Sequence, residues 1–382
     1  MSRGHLRQRS LGSWTLKYEG PRGTDGKRTT FYRTIRGSKR EAAAELARLQ
    51  AAVADNQHVA PNRLTVAAFL EERMRHWVAT KQISARTAQG YSQLINTHIV
   101  PHIGARPVQR LGTRDVESWH TILLTSGRHD GKGGLNPRTA GHAHRVLSKA
   151  LADGVRHGLL TKNIAAIQKA PRLDAEEMQI LSPAAVDNLP AQLSGHELEA
   201  IVLVGLFCGL RRGEILALRE KNWDQNEERI QVRETLEETR SGLRFKPPKT
   251  KAGIRDVSLP AIVTDALVVH RKRVLERRLM LGLGKLSGED LIFPNALGQP
   301  RSPNAVSAAW SKLAQELGLE GVSFHGLRHT HASMLIAHGV DVVTISKRLG
   351  HASPTITLQT YSHLFRPGDG KAAAAINAAL GG

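Results

Sequence analysis

Four short segments in the second half of the chain carry groups suited to phosphate chemistry. They are Gly209-Leu210-Arg211-Arg212-Gly213-Glu214, His325-Gly326-Leu327-Arg328, Leu349-Gly350-His351 and Tyr361-Ser362-His363. An arginine is always charged and presents a rigid fork that matches phosphate oxygens. Glu214 lies three residues after Arg211, one helical turn, where it can orient an arginine or the local backbone. His325 and Arg328, at i and i+3, share one helix face, so an imidazole and a guanidinium project together and can hold one phosphate and move one proton. His351 follows Gly350 on a turn, and Ser353-Pro354 then opens a short helix that delivers Tyr361. A free tyrosine, with a pKa near ~10, is a poor nucleophile. It needs a positive, water-poor site with a proton acceptor, which Arg211, Arg328, His325 and His351 supply if they converge. Such a site attacks a phosphodiester with a tyrosine.

Each segment alone has a plainer reading: an Arg–Glu surface pair, a half-buried core tyrosine, or two helices joined by a Gly339 turn that resemble a DNA-binding helix-turn-helix. His325, His329 and His331 invite a metal, but no Glu follows His325 as in the zinc-protease motif and no third ligand is evident, so neither metal nor cofactor is expected. Lys249 to Arg255 fits a β-turn between two strands. A lysine at such a tip either reaches a minor groove and protonates a leaving oxygen, or belongs to a solvated charge run.

The elements that must position these groups fall into three stretches. Up to residue 61, alternation of Trp14, Leu16 and Tyr18 and the run Thr29 to Ile35 predict strands around a turn from Gly20 to Gly26. Ser38 with Glu41 then forms a capping box for a helix through Leu46 and Leu49. Residues 62–172 show helical periodicity only. Caps are predicted at Thr65, Ser84 and Thr113, with a break from Pro101 to Pro107 and a long helix from about Arg138 to His157. Pro61-Asn62 and Ala170 to Gln179 read as linkers. Residues 173–382 mix helices with strand-like runs at Arg229 to Leu236, Gly242 to Phe245 and Ile254 to Leu259. The end, Lys371 to Leu380, is an Ala-rich helix with Ile376 and Leu380 one turn apart, expected to dock on a neighbouring subunit.

The 382 residues are enough for two or three domains. Lys and Arg number 54 against 34 Asp and Glu, a net charge of +20 that favours a polyanionic partner, nucleic acid by default. Eleven bases against two acids fall in the first 40 residues, a dense positive surplus. The single cysteine, Cys208, sits in the apolar run Ala200 to Leu210. That excludes an internal disulfide and a cysteine zinc site, and the run is too short to span a bilayer. With no apolar signal core at the N-terminus, a cytoplasmic protein without a membrane partner is expected.

The set of motifs, in this order, resembles the tyrosine recombinases of the phage-integrase family. Gly209-Leu210-Arg211 with Glu214 is similar to the family's first arginine box, Lys249 to Pro260 to its β-hairpin lysine segment, and His325-Gly326-Leu327-Arg328 to its His-x-x-Arg box. Leu349-Gly350-His351, with Tyr361 ten residues on, is similar to its second box and nucleophile. The resemblance implies a mainly α multidomain protein in three parts. Residues 1–61 correspond to a small sheet-plus-helix arm-binding domain, 62–172 to an all-α core-DNA-binding domain, and 173–382 to a mixed α+β catalytic domain with a small antiparallel sheet and a C-terminal tail. By position, Tyr361 is the nucleophile, Arg211 and Arg328 neutralise the phosphate, Lys251 is the acid for the leaving 5′-oxygen with Lys249 as the alternative, His325 assists proton transfer, and His351 hydrogen-bonds the phosphate. The implied partners are double-stranded DNA attachment sites, a homotetramer on that DNA, and accessory DNA-bending or directionality proteins. The arm-like first part points to a phage or mobile-element integrase. A type IB topoisomerase shares the chemistry, and a helix-turn-helix regulator shares the DNA but leaves Tyr361 and Arg211 unexplained.

Overall fold

The computed structural model describes residues 4–22, 28–54, 59–60, 62–172, 179–364 and 377–380. The turn at Gly23 to Gly26, Pro61, residues 173–178 of the second linker, and Arg366 to Ile376 of the tail lie outside these, as does the side chain of His363. The chain divides near residue 175 into two compact units. The architecture is mainly α with small antiparallel sheets, as expected.

The first unit holds two separate cores. In one, strands β1 (His5–Ser10), β2 (Ser13–Arg22) and β3 (Arg28–Arg36) form an antiparallel sheet in that order. Strand β1 is absent from the predicted elements because HLRQRS carries one apolar residue and shows no alternation to read. Helix α1 (Lys39–Ala54) starts on the predicted capping box: Ser38 N–H donates to Glu41 Oε2 at 2.6 Å, and Glu41 N–H donates to Ser38 Oγ at 3.3 Å. It covers Leu16 and Tyr18, which with Ala42, Leu46 and Leu49 make the core. The period of two leaves the opposite face of the sheet to solvent. There His5, Lys17 and Tyr32 stand in one cross-strand row, all exposed, with Tyr32 63% accessible.

The second core belongs to helices α2 (Val66–Ala79), α3 (Ala85–Leu94), α4 (Val100–Ile103), α5 (Thr113–Ser126), α6 (Pro137–Arg156) and the single turn α7 (Ile164–Ile167). Thr65 and Ser84 cap α2 and α3 through their side chains as predicted. Two details differ. Thr113 is the first residue inside α5; the N-cap is Gly112, whose N–H donates to Asp115 Oδ2 at 2.9 Å. The chain also does not break at Pro101: a π-helical turn, Ile95–Ile99, carries α3 on into α4. Pro101 lies just past the π turn, in the first turn of α4.

The second unit is built on α9 (Glu199–Cys208), apolar all round and buried along nearly its whole length. Before it comes α8 (Pro183–Leu193), and after it the one-turn helix α10 (Arg212–Ile215). Strands β4 (Trp223–Asp224), β5 (Arg229–Val232) and β8 (Arg255–Ser258) form one antiparallel sheet in the order β4-β5-β8. Strands β6 (Thr235–Thr239) and β7 (Gly242–Lys246) form a separate hairpin. The predicted run Arg229 to Leu236 is therefore two strands in two sheets. Strand β7 pairs β6 and β8 pairs β5, so Lys249 and Lys251 do not occupy the tip of a hairpin. They lie on a crossover between sheets that ends in a 3₁₀ turn, Lys251–Gly253. Helices α11 (Ala261–Met280), α12 (Pro303–Glu316), α13 (Phe324–Ala337), α14 (Val342–Leu349) and α15 (Pro354–Tyr361) complete the unit, with α11 and α13 packed on α9.

Candidate active site

Helix α9 ends at Gly209, in the left-handed region at φ +66°. A Cβ there would lie 2.5 Å from His331 Cδ2, so glycine is required both by conformation and by the closeness of α13. The close approach lets Arg328 on α13 reach back to this turn. Its Nη1 donates to Gly209 O at 2.6 Å and its Nη2 to Leu349 O at 2.7 Å, at the end of α14. One guanidinium, only 2% exposed, thus staples the first arginine box to the Leu349-Gly350-His351 segment across 119 and 21 residues. Burial and the neighbouring Arg211 both press its pKa down, yet arginine keeps its charge at neutral pH.

Arg211 leaves the same turn and opens α10. Glu214 accepts its backbone N–H at 3.0 Å through Oε2 and its Nη1 at 2.7 Å through Oε1. The Arg211 side chain stays 41% exposed while that of Glu214 is 3% exposed, so the carboxylate is the fixed base and the guanidinium the outward-facing group. Arg211 Nη2 lies 3.4 Å from Gly350 O. Burial alone would raise the Glu214 pKa; Arg255 and then Arg211 more than offset it and hold the carboxyl ionised. The bland alternative of a surface Arg–Glu pair fails on this burial.

His351 follows the αL residue Gly350, and its Nδ1 pairs with Thr357 Oγ1 at 2.8 Å, which fixes the ring. Desolvation, then Arg328, Arg211 and Arg255, push its pKa down to about 4, so at neutral pH it is an uncharged hydrogen-bonding group. His325, in the first turn of α13, is exposed, and its ring centroid stands 4.6 Å from that of His329. Desolvation and the charges of Arg328, Arg211 and Arg212 lower its pKa as well. Lys251 is exposed, and the backbone of its turn touches the site: a Cβ on Gly350 would lie 3.0 Å from Ala252 O.

Tyr361, at the end of α15, is 3% exposed and packs among Ala332, Ile336, Ile345 and Leu349. Its hydroxyl pairs with His329 Nδ1 at 2.5 Å. Desolvation raises the phenol to about 12 against the pull of Arg328, while desolvation, then His325 and Arg328, lower His329 to about 4. A neutral imidazole therefore accepts from a protonated phenol. The sequence motifs place Tyr361 next to this site but do not single out His329 as its partner. The signal was present: His329 follows Arg328 directly and lies four residues from His325, on the same face. Arg255 also belongs to the site, although no motif marks it. It is 9% exposed, and its Nη2 donates to Glu214 Oε2 at 2.9 Å.

Among the described residues no group of three or more His, Cys, Asp or Glu is placed to hold a metal ion, and no helix is long and apolar enough to cross a membrane. His331, one of the candidate ligands, is occupied: Arg348 Nε donates to its Nε2 at 3.1 Å.

In the second unit two arginines and a tyrosine-bearing helix meet, the groups that DNA strand transfer through a tyrosine calls for. The model of the phage integrase family matches residues 171–366, just over half the chain, and that of the phage integrase N-terminal SAM-like domain matches residues 69–124. The chain belongs to the phage integrase family and is a tyrosine site-specific recombinase. It is 24% identical over 385 residues to a putative prophage phiRv2 integrase of Mycobacterium tuberculosis, covering 98% of this chain and 95% of that one. It is 29% identical over 199 residues to a XerC-like tyrosine recombinase of Caldanaerobacter subterraneus subsp. tengcongensis, a match spanning about half of each chain, 49% and 51%. In fold it is similar to the Tn1549 transposon integrase solved in complex with a circular intermediate DNA, with TM-score 0.67 and 21% identity over 78% of this chain and 95% of that one.

Proposed function

We propose that the protein cuts and rejoins double-stranded DNA at attachment sites through a 3′-phosphotyrosyl intermediate, integrating or excising a phage or mobile element. The observation that carries this reading is the double clasp of Arg328 on Gly209 O and Leu349 O, which brings the Arg211 and His351 turns together beside the helix that bears Tyr361. In the cleavage step a Tyr361 Oη–P bond forms and the P–O5′ bond breaks. The phenolic proton passes to His325, and a proton from Lys251, or from Lys249 in the same crossover, goes to the departing 5′-oxygen. Arg211 and Arg328 neutralise the charge growing on the non-bridging oxygens. His325 assists proton transfer, and His351 donates a hydrogen bond to the phosphate while Glu214 holds Arg211. The attack of a partner strand's 5′-hydroxyl on the phosphotyrosine reverses the step, so no ATP is consumed. A phenol 3% exposed and a guanidinium 2% exposed, Tyr361 and Arg328, cannot meet a DNA phosphate as they stand, so α15 must shift when DNA binds.

Family membership supports a homotetramer on two DNA sites as the working assembly, with DNA-bending or directionality proteins as accessory partners. Residues 1–61 serve as the arm-site module, 62–172 as the core-site clamp and 173–382 as the catalytic domain. The test is a nicked suicide substrate carrying the attachment site, run on a denaturing gel in excess EDTA. Protein covalently joined to the 3′ end at Tyr361 is expected. Relaxation of supercoiled DNA without site preference favours a topoisomerase, cleavage only after magnesium or zinc is added favours a nuclease, and binding without any cleavage favours a regulator.

A further inference from the structure

We propose that Arg255 is a positioning residue for this reaction: its buried guanidinium fixes the lysine-bearing turn and the His351 turn against the carboxylate that orients Arg211. The side chain of Arg255 is 7% exposed and donates in three directions. Nη2 reaches Glu214 Oε2 at 2.9 Å, Nε reaches Arg348 O at 2.7 Å, and Nη1 reaches Gly253 O at 3.1 Å. Each acceptor belongs to a different part of the site. Glu214 holds Arg211, Arg348 O lies in the last turn of α14 three residues before His351, and Gly253 O closes the turn that begins at Lys251.

These parts meet in van der Waals contact. Gly350 has φ +68°, and a Cβ on it would lie 2.8 Å from Arg255 Nη1 and 3.0 Å from Ala252 O. The side chains of Lys249 and Lys251 are exposed and do not anchor their own segment. The backbone bonds Gly253 N–H to Thr250 O at 2.9 Å and Ile254 N–H to Lys251 O at 3.0 Å shape the turn, the pairing of β8 with β5 holds its end, and the Arg255 fork ties it to Glu214 and the end of α14. A lysine at 255 keeps the charge but cannot make three fixed bonds at fork geometry. Loss of the fork leaves the buried carbonyl at 253 and the part-buried one at 348 without this donor and frees the acid's turn to drift. A displacement of about 1 Å in a reacting group can cost on the order of 10²-fold in rate.

The inference rests on the proposed roles of Tyr361 and of the crossover lysine, and the experiment separates the two. Single-turnover cleavage is measured on a suicide substrate built on the element's own attachment site, mapped from the DNA flanking the gene. One version has the ordinary scissile phosphate, the other a 5′-bridging phosphorothiolate, whose sulfur leaves without a proton. Wild type, Arg255→Lys, Arg255→Met, Lys249→Ala and Lys251→Ala are compared. For both Arg255 variants the expected result is a loss of roughly 10²-fold on the oxygen substrate, recovery of at least about tenfold of that on sulfur, and unchanged affinity for the site. The same recovery should appear in one of the two lysine variants. An equal loss on both substrates, or no loss on oxygen, overturns the proposal. If Arg255→Met does not fold, Arg255→Lys decides alone. Wild type that forms no covalent product on either substrate overturns the Tyr361 reading itself, and this inference with it.

Discussion

The two large cores treat buried polar groups in opposite ways. In the helical core of residues 62–172, most buried pairs join neutral groups from different helices: Trp77 Nε1 donates to Asp153 Oδ2 at 2.6 Å, Trp119 Nε1 to His98 O at 2.7 Å, and His120 pairs with His144 at 3.0 Å. In the catalytic core, Arg211 and Arg255 share one carboxylate, Glu214, while Arg328 is held by two carbonyl oxygens. Burying charge is expensive unless it is fully paired. The first arrangement serves a stable helical fold. The second holds positive charge in excess of its fixed counter-charge, which is the condition for an incoming phosphate to add more than it displaces.

The largest effect is expected at Tyr361, whose phenol carries no charge. Tyr361→Phe should abolish covalent attachment while leaving DNA affinity within a few-fold of wild type, since it deletes the attacking atom and its bond to His329 and keeps the packing. Phosphotyrosyl product from this variant would place the nucleophile elsewhere. Next come the arginines, where the contrast between fixed and outward charge can be broken. Arg211→Lys and Arg328→Lys should each slow cleavage by roughly 10²–10³-fold, the scale of one transition-state donor. Only Arg328→Lys should also lower thermal stability, because it alone gives up two buried carbonyl contacts. Equal melting temperatures for the two variants would show that the clasp is not structural.

Acid should reveal the same difference. Burial depresses His331 to about 3 and His270 and His329 to about 4 in the catalytic unit, and His120 to about 4 in the helical one. Unfolded histidine takes up its proton near 6.5, so these groups contribute stability that is full above that pH and is lost as pH falls from about 6.5 toward 4. Each contributes a slope of up to about 1.4 kcal/mol per pH unit in that window. With more such groups, the catalytic unit should loosen first. Hydrogen exchange on the full chain at pH 7 and 5, corrected for intrinsic rates, should show α13 losing protection ahead of α6. Loss in the reverse order would mean that the helical unit is the acid-sensitive one.

The enzyme class was readable from the sequence because the candidate residues sit in motifs with local spacing: i, i+3 for His325 and Arg328, a cap and turn for His351 and Tyr361. What could not be read was anything set by pairing between distant segments. The assignment of β5 and β6 to different sheets, and with it the place of Lys251 off any hairpin tip, depends on which strands meet. The sequestered state of Tyr361 depends on α15 docking against α13. Arg255 is an intermediate case. Exposure alternates from Ile254 to Leu259, with Arg255, Val257 and Leu259 inward. Extending the parity of the two apolar residues back by one step assigns an arginine to the core face, and a buried arginine in such a row marks a carboxylate nearby.

The smallest effect on cleavage, and the clearest on binding, is expected where charge is neither buried nor paired inward. In the sheet of β1 to β3, Arg33 faces α1 and is bonded to Glu45 at 2.7 Å, so part of the basic surplus is spent on the fold. The opposite face keeps His5, Lys17 and Tyr32 in one exposed row, with Arg7 beside them. Exposed charge is screened by salt, whereas the buried arginines are screened much less. Binding of the arm-type sites through this face should therefore fall steeply with salt, as neutralised phosphates release counterions. Lys17→Ala should weaken that binding across sequences and reduce the salt slope by about 1, the loss of one phosphate contact. Tyr32→Ala should weaken it by removing an aromatic contact, with little change in slope. Neither should alter single-turnover cleavage of an isolated core site. Footprinting over a salt series, with cleavage measured in parallel, checks both. If Lys17→Ala leaves distal footprints intact, the sheet face is not the DNA-reading surface. If it slows core cleavage, the sheet and the catalytic site are not functionally separable.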